Sequence, residues 1–129
     1  MTSAAALQIV VVDDQQTIRS LVRSGLNQIG INNIREFATA KEAFSVIRHH
    51  APHLVISDFN MPEIDGLEFL RVVRADPNLK TVGFILLTGR ADRDLVQRAA
   101  QFGANNYLVK PFTVAGLKQK IEQVVGALT

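Results

Sequence analysis

The stretch LVISDFNMPEIDGLEFL, residues 54–70, places an acid at the end of a short apolar run. A continuous run of this kind is typical of a parallel strand that is covered on both faces. Met61 and Pro62 then turn the chain, and Asp65 with Gly66 precedes a helical apolar pattern over residues 67–74. Asp58 is therefore either a turn former at a strand end or a group that the fold presents.

The same alternation of strand and helix extends along the whole chain. Apolar runs rich in β-branched residues predict strands at 8–12, 33–37, 54–57, 83–88 and 107–109. Apolar positions at spacings of three and four predict helices at 18–29, 40–47, 67–74, 93–102 and 114–128. Because parallel strands need right-handed crossovers, this order predicts an α/β fold, a doubly wound five-stranded parallel sheet with five helices.

Length and composition limit the class of protein. A chain of 129 residues with 47% hydrophobic and 20% charged residues fits one domain, which we place at 8–129 after a flexible N-terminus at 1–7. The absence of cysteine excludes disulfides and thiolate chemistry. No signal peptide or membrane-spanning run is recognisable, so we expect a cytoplasmic protein without membrane insertion. A net charge of +2 gives no indication of nucleic-acid binding.

Polar residues collect at the carboxyl ends of the predicted strands. Asp13 and Asp14 follow the first strand, and Asp58 follows the third. Thr88 closes the fourth strand, and Lys110 follows the fifth. In doubly wound sheets ligands bind at this edge, where the strand order reverses. Three carboxylates, a hydroxyl and an ammonium are therefore expected at one place.

These groups fit phosphoryl transfer to a carboxylate. Carboxylates held close together repel one another and should recruit a hard divalent cation with oxygen ligands, for which Mg²⁺ is suited. With the cation and Lys110 screening its charge, Asp58 can act as the nucleophile. Thr88 can donate a hydrogen bond to a phosphoryl oxygen, and Gly89, which has no Cβ, leaves room for a phosphodonor.

Each residue also has an ordinary structural interpretation. An Asp-Asp pair before a helix is commonly an N-cap with a first-turn acid, and the turn from Asp58 to Pro62 needs no further function. Lys110 and Pro111 can simply lead into a helix that Thr113 caps. Taken singly, these interpretations are favoured. The phosphoryl-transfer hypothesis depends on the coincidence of all the positions at the ends of four strands.

Four segments together resemble the receiver domain of two-component response regulators, in particular the single-domain chemotaxis regulators of the CheY type. The resemblance covers residues 8–128, nearly the whole chain. It rests on VVDD at 11–14, VISDFNMP at 55–62 followed by DGLE at 65–68, LTG at 87–89, and YLVKPFT at 107–113. It implies a flavodoxin-like fold with strand order 2-1-3-4-5.

The resemblance implies roles for single residues. Asp58 would accept a phosphoryl group from a histidine kinase, with Lys110 as a catalytic partner. The metal ion would be bound by Asp14, Asp58 and the backbone carbonyl of Asn60, and Asp13 would contribute to the metal site, largely through water. The implied ion is Mg²⁺, with Mn²⁺ as an alternative.

A conformational switch is implied as well. A phosphoryl group would draw the catalytic hydroxyl of Thr88 towards its oxygens and leave space for the ring of Tyr107, so that a change of charge alters surface packing. Without switching, Tyr107 is simply an aromatic residue on a half-exposed edge strand. The Lys110–Pro111 bond can be cis in this family, which sequence alone does not show.

Phe59 and Arg90 depart from the family pattern and flank the expected phosphate. The best-known chemotaxis regulators carry a tryptophan at the position of Phe59, so indole fluorescence is absent here. Close relatives often carry an acid or a small residue at the position of Arg90. The sign of its effect on the approach of water or of a phosphatase does not follow from sequence.

The implied partners are a CheA-like histidine kinase as phosphodonor and a flagellar motor switch protein, or another protein target, as output. We expect a monomer that does not bind DNA and that signals through the face of helix 4, strand 5 and helix 5. Basic residues near Tyr107 either attract an acidic segment or form an ordinary solvated surface. These residues are Arg93, Arg98, Lys110, Lys118 and Lys120.

Other functions would use the same residues. An aspartate-based phosphatase commonly places a second acid two residues after the nucleophile, where Asn60 stands. A phosphate-sink receiver without an output partner would need an identical site, so sequence barely separates it from a switch. Apart from its own phosphorylation and dephosphorylation, we expect no enzyme activity.

Overall fold

The computed structural model describes residues 1–90 and 92–129. The strands are β1 (Gln8–Val12), β2 (Asn33–Phe37), β3 (Leu54–Asp58), β4 (Gly83–Thr88) and β5 (Asn106–Val109). The helices are α1 (Gln16–Ile29), α2 (Ala40–Ile47), α3 (Gly66–Ala75), α4 (Arg93–Gln101) and α5 (Val114–Val125). A short 3₁₀ helix, Ala4–Ala6, precedes them. Within these ranges no helix has both the length and the apolar character needed to cross a membrane.

All five strands run parallel in the order β2-β1-β3-β4-β5. Alternate residues of β1 face opposite sides of the sheet: Ile9 and Val11 pack with α1 and α5, and Val10 and Val12 pack with α2, α3 and α4. Helices therefore cover both faces. The predicted fold class, a doubly wound five-stranded parallel sheet with strand order 2-1-3-4-5, is confirmed.

The strand order places the site. From β1 the chain crosses to β2 on one side and later to β3 on the other, so the order reverses between β1 and β3. Val12 pairs with Ser57 at this boundary, and the next residues along the two strands are Asp13 and Asp58. Asp58 is still part of β3, where it pairs with Leu87 of β4, one residue beyond the predicted strand end.

Four of the five helices begin with a side-chain cap, and α1 does not. In the capped helices the cap oxygen accepts a hydrogen bond from the backbone N–H three residues later. The caps are Thr39, Asp65, Asp92 and Thr113. Gln15 precedes α1 without a side-chain cap bond, so the interpretation of Asp13 or Asp14 as its N-cap is wrong. Asp13 instead accepts a hydrogen bond from the backbone N–H of Gln15, the residue directly before the helix.

The N-terminal segment at 1–7, for which we expect flexibility, contacts the C-terminal residues and the core. Thr2 donates its backbone N–H to Ala127 and its hydroxyl to Val125, and its carbonyl accepts from Thr129. Ala4 and Leu7 are buried in the core layer beneath α1 and α5. The apolar side chains of this segment cover the end of the core, which its sequence pattern was too short to reveal.

Arg74, near the end of α3, joins three segments at the edge of the sheet opposite the site. Its guanidinium donates to the carbonyls of Val82 at 2.6 Å, Lys80 at 3.1 Å and Gly103 at 3.0 Å. It also donates to the side chain of Asn105 at 3.0 Å. Burial lowers the pKa of the guanidinium from its ordinary value. One cation therefore fixes the loops before β4 and before β5.

Replacing Arg74 by methionine should be costly, because several carbonyls would lose their donor together. We expect Arg74→Met to lower the free energy of unfolding by about 2 kcal/mol or more, measured by urea denaturation. Arg71→Met on the same helix is the control, since Arg71 is 61% exposed and pairs only with Glu68. Its loss should stay below about 0.5 kcal/mol. Equal losses in the two variants would contradict the assigned role of Arg74.

Candidate functional site

Asp58 lies at the carboxyl end of β3 with its side chain only 6% exposed. Lys110 donates its ammonium to Oδ1 of this carboxylate at 2.9 Å. The backbone N–H of Lys110 donates to the carbonyl of Thr88 at 2.7 Å, which holds the lysine beside the end of β4. The Lys110–Pro111 bond is cis. An acid and an ammonium that are 52 residues apart in sequence thus form an ion pair at the sheet edge.

Asp13 is fully buried, and its two carboxylate oxygens have different surroundings. Oδ1 accepts a hydrogen bond from the backbone N–H of Gln15 at 2.8 Å. Oδ2 has no hydrogen-bond partner among the described residues, and Lys110 Nζ is 3.9 Å away. Buried polar atoms normally have a partner, so this oxygen is available to a ligand.

The electrostatic surroundings of Asp13 are unfavourable to its charge. Burial raises the pKa of its carboxyl above the ordinary value, and the nearby carboxylates of Asp58 and Asp14 act in the same direction. The hydrogen bond from Gln15 and the ammonium of Lys110 oppose this increase in the pKa. One lysine therefore faces three carboxylates, and the group of four carries excess negative charge.

Asp13, Asp14 and Asp58 are arranged as a cation site. Each can offer one carboxylate oxygen such that the three atoms lie within 4.8 Å of one another. Two of the residues are buried, and Asp14 is exposed, so the cluster is open to solvent on one side. Carboxylate oxygens with room for water suit Mg²⁺, which keeps several of its waters in protein sites. The free Oδ2 of Asp13 and the excess negative charge both fit such an ion.

The loop after Asp58 is held tightly against the sheet. Phe59 donates its N–H to the carbonyl of Leu87 at 2.8 Å and accepts from the N–H of Gly66 at 2.8 Å. A Cβ at Gly66 would collide with the backbone of Asp58 and Phe59, so only glycine allows α3 to begin this close to the acid. Gly66 therefore does more than begin a helix: its lack of a side chain lets α3 pack against the backbone of Asp58 and hold it in place.

A pocket of ≈ 420 Å³ opens beside Asp58. Its lining residues are Phe59, Asn60, Thr88, Gly89, Arg90, Asp92 and Leu95. A Cβ added at Gly89 would meet open space, which agrees with the expected room for a phosphodonor. Phe59 and Arg90, the two departures from the family pattern, both line this space, and Arg90 is exposed.

The hydroxyl of Thr88 is engaged away from Asp58. It donates to the carbonyl of Arg90 at 2.9 Å and accepts from the N–H of Arg90 at 3.2 Å. Tyr107 is half-buried on β5, and Lys120 Nζ lies 4.6 Å from the centre of its ring. Of the five basic residues expected near Tyr107, Lys120 lies over the ring, whereas Lys110 belongs to the acidic cluster.

Arg19, which contacts the backbone beside the acids, and its partner Glu36 were not recognised from the sequence. Arg19 of α1 donates to the backbone carbonyl of Asp13 at 2.6 Å, and its Nε lies 3.4 Å from Glu36 of β2. Arg19 follows Asp13 by six residues in the amphipathic pattern of α1, which was the available signal. Glu36 gave no signal, because its pairing depends on the register of β1 with β2.

The fold and the site together define a class of protein. Residues 9–122 match the response regulator receiver domain, so the chain belongs to that family and the resemblance found in its sequence is confirmed. It is similar to a probable chemotaxis protein CheY of Rhizobium etli, with 48% identity over 99% of both chains. The chain is therefore a CheY-like receiver domain.

Solved structures agree with this assignment. Chemotaxis protein CheY4 of Vibrio cholerae superposes with a TM-score of 0.85 and 28% identity, over 96% of this chain and 99% of that one. The receiver domain of a sensor histidine kinase of Pseudomonas aeruginosa also gives a TM-score of 0.85, with 26% identity. This match covers 95% of the present chain and 100% of the other, whose structure has a magnesium ion coordinated in its active-site cleft.

The excess of acids predicts the effect of Asp13→Asn. Removing a buried negative charge should raise the free energy of unfolding by about 1 kcal/mol when EDTA keeps divalent cations away. The same change should reduce the increase in melting temperature on adding Mg²⁺, because a ligand oxygen is lost. Thermal denaturation with EDTA and with Mg²⁺ measures both effects.

Asp94→Asn is the matched substitution outside the cluster, because Asp94 is an exposed acid in the first turn of α4. It should leave the response to Mg²⁺ unchanged. A lower stability of Asp13→Asn in EDTA would show that the repulsion inferred at the cluster is not significant.

Proposed function

We propose that the protein is a cytoplasmic response regulator that accepts a phosphoryl group on Asp58 from a histidine kinase and signals through phosphorylation-dependent protein binding. The observation that carries this proposal is the pairing of Asp58 with Lys110 at 2.9 Å inside a cluster of three carboxylates beside an open pocket. The match over 99% of a chemotaxis relative supports the same conclusion.

The residues divide the work of phosphoryl transfer. An oxygen of Asp58 forms a bond to phosphorus as the bond to the donor's histidine nitrogen breaks, and the electron pair leaves on that nitrogen. Lys110, bonded to Oδ1, orients the carboxylate and offsets its charge. The backbone contacts of Phe59 and Gly66 fix the acceptor at the end of β3, next in sequence to the pocket residue Phe59. Chemistry then depends on position more than on a strong base.

Asp13, Asp14, Asp58 and the carbonyl of Asn60 are the proposed ligands of Mg²⁺. When bound, the ion supplies charge neutralisation for the acids and for the oxygens of the transferred group. Two findings support this choice: the cluster of three carboxylates in this chain, and the magnesium ion coordinated in the structure of the Pseudomonas relative. Asn60 lines the pocket together with Phe59 and Thr88.

The proposed output begins at Thr88. A phosphoryl oxygen on Asp58 competes with the carbonyl of Arg90 for the Thr88 hydroxyl. Movement of Thr88 changes the space next to β5, where Tyr107 lies under the ammonium of Lys120. Partner binding would then follow the position of Tyr107 on the face formed by α4, β5 and α5.

The identity of the partners remains part of the proposal. A CheA-like kinase as donor and a flagellar motor switch protein as target agree with the chemotaxis names of the relatives. A phosphate-sink receiver would carry the same site without a target. An aspartate-based phosphatase is disfavoured, because Asn60 stands where a second acid would be needed.

Asp58→Asn should abolish phosphorylation, because an amide oxygen cannot replace the carboxylate nucleophile. The protein is incubated with Mg²⁺ and acetyl phosphate or a phosphorylated kinase, and intact mass spectrometry counts phosphoryl groups. Wild type and Asp94→Asn should each gain one group that is lost again with time. Full labelling of Asp58→Asn would place the acceptor elsewhere, and multiple turnover on small phosphomonoesters would favour the phosphatase.

Thr88→Val should separate phosphorylation from its readout, since valine keeps the shape of threonine but has no hydroxyl. We expect its labelling at Asp58 to persist, whereas the amide signals of Arg90 and Tyr107 should respond far less than in wild type. Nuclear magnetic resonance spectra before and after addition of phosphodonor provide the comparison. Equal responses in the two proteins would exclude the Thr88 hydroxyl from the switch.

A further inference from the structure

Arg19 reaches the acidic cluster from behind, through the backbone. It lies one turn into α1, its side chain is 17% exposed, and it donates to the carbonyl of Asp13 at 2.6 Å. The N–H of Asp13 donates to the carbonyl of Phe37 at 3.1 Å. The main chain of Asp13 is therefore held from both sides, by α1 and by β2.

Glu36 sets the direction of the guanidinium. It lies 3.4 Å from Arg19 Nε and also pairs with Arg23, whose guanidinium donates to the carbonyl of Ile34 at 3.1 Å. Arg19 therefore donates on one side to the Asp13 carbonyl and is paired on the other with Glu36, which restrains the orientation of its guanidinium.

The turn that Arg19 holds lies directly before α1, which begins without a side-chain cap. Within it, the N–H of Gln15 donates to Asp13 Oδ1, and the carbonyl of Gln15 accepts from the backbone of the first turn of α1. These bonds leave the carbonyl of Asp13 to Arg19. Asp14, the exposed member of the cluster, sits in the same turn. The positions of both acids relative to Asp58 therefore depend strongly on the Asp13 backbone.

We propose that Arg19 is a positioning residue for the magnesium site: by holding the Asp13 carbonyl while Glu36 restrains its guanidinium, it fixes Asp13 and Asp14 where their carboxylates bind the ion. This inference rests on the proposed function of the cluster. Arg19 touches the backbone and not a ligand oxygen, so it orients the site without competing for it. Contacts of this indirect kind commonly change metal affinity by about 10- to 100-fold.

The test measures Mg²⁺ affinity without any phosphodonor, from melting temperature against Mg²⁺ concentration. Arg19→Met keeps the aliphatic stem and removes the donors, and its dissociation constant for Mg²⁺ should rise about tenfold. Arg23→Met is the matched control. Like Arg19, Arg23 is a cation paired with Glu36, but its guanidinium donates to the carbonyl of Ile34 and not to that of Asp13. Its dissociation constant should stay within about twofold of wild type.

The sign of the change decides between positioning and plain electrostatics. Removing a positive charge beside a cation site would by itself tighten Mg²⁺ binding. A weaker affinity in Arg19→Met alone supports positioning. An unchanged or tighter affinity, or equal weakening in Arg23→Met, overturns the proposal.

Phosphorylation gives a second measurement, which separates the role of Arg19 from the proposed phosphorylation of Asp58. Arg19→Met should need more Mg²⁺ for half-maximal labelling by acetyl phosphate but reach the wild-type extent at saturation. A lower extent at saturating Mg²⁺ would count against a role in positioning alone. Wild type that is never labelled would remove the proposed function, while the Mg²⁺ comparison would still decide the role of Arg19.

Arg19→Lys keeps the inference testable if Arg19→Met does not fold. A single ammonium cannot reproduce the two-sided contact with the Asp13 carbonyl and Glu36. Mg²⁺ affinity should then fall several-fold, with circular dichroism showing a folded protein. Wild-type affinity in this variant would overturn the proposal.

Discussion

The structure is organised around a buried carboxylate oxygen that lacks a partner. Asp13 Oδ2 accepts no hydrogen bond from the residues that the structure describes, and the ammonium of Lys110 is 3.9 Å from it. The same ammonium pairs with Asp58 at 2.9 Å, and Asp14 adds a third carboxylate to the cluster. Folding alone would not favour this arrangement, because burial and like charge both oppose ionisation of Asp13. The strands that lead to Asp13 and Asp58 are each paired with neighbours on both sides. The hydrogen bonds of the sheet and the apolar core therefore offset the unfavourable electrostatic energy of the buried carboxylates.

Rigid contacts surround this unfavourable centre. Gly66 allows α3 to begin against the backbone of Asp58, and Phe59 is bonded to both β4 and α3. Behind the cluster, Arg19 and Glu36 connect α1 to β2. None of these residues adds a hydrogen bond to the unpartnered oxygen of Asp13. They hold the carboxylates in place, so that a cation bound there, as proposed, would meet ligands that are already positioned, and little free energy would be lost in ordering them.

The sequence predicted those features that depend on local pattern and on the parallel sheet. Apolar runs located the strands, and the rule that parallel strands end at one edge brought Asp13, Asp58 and Lys110 together before any contact was known. The sequence could not predict the hydrogen bond from Arg19 to a backbone carbonyl, because every residue has such a carbonyl and no residue type indicates which one accepts. Nor could it show that the Thr88 hydroxyl is bound to Arg90, because either rotamer fits the same strand.

The contacts of Thr88 and Tyr107, at the proposed output face, are weak compared with the charge interactions at the acidic cluster. The Thr88–Arg90 hydrogen bond is worth about 1 kcal/mol, and the contact of Lys120 with the Tyr107 ring about the same at a partly exposed site. A phosphoryl group on Asp58, as proposed, replaces one negative charge by about two and so adds about one charge to a buried, already acidic site, where charge interactions reach several kcal/mol. The cluster can therefore determine the state of the Thr88 and Tyr107 contacts, whereas those contacts are too weak to prevent the change. Such a difference suits a signalling protein, because a large change in free energy at the phosphorylation site then acts on contacts that cost little free energy to rearrange.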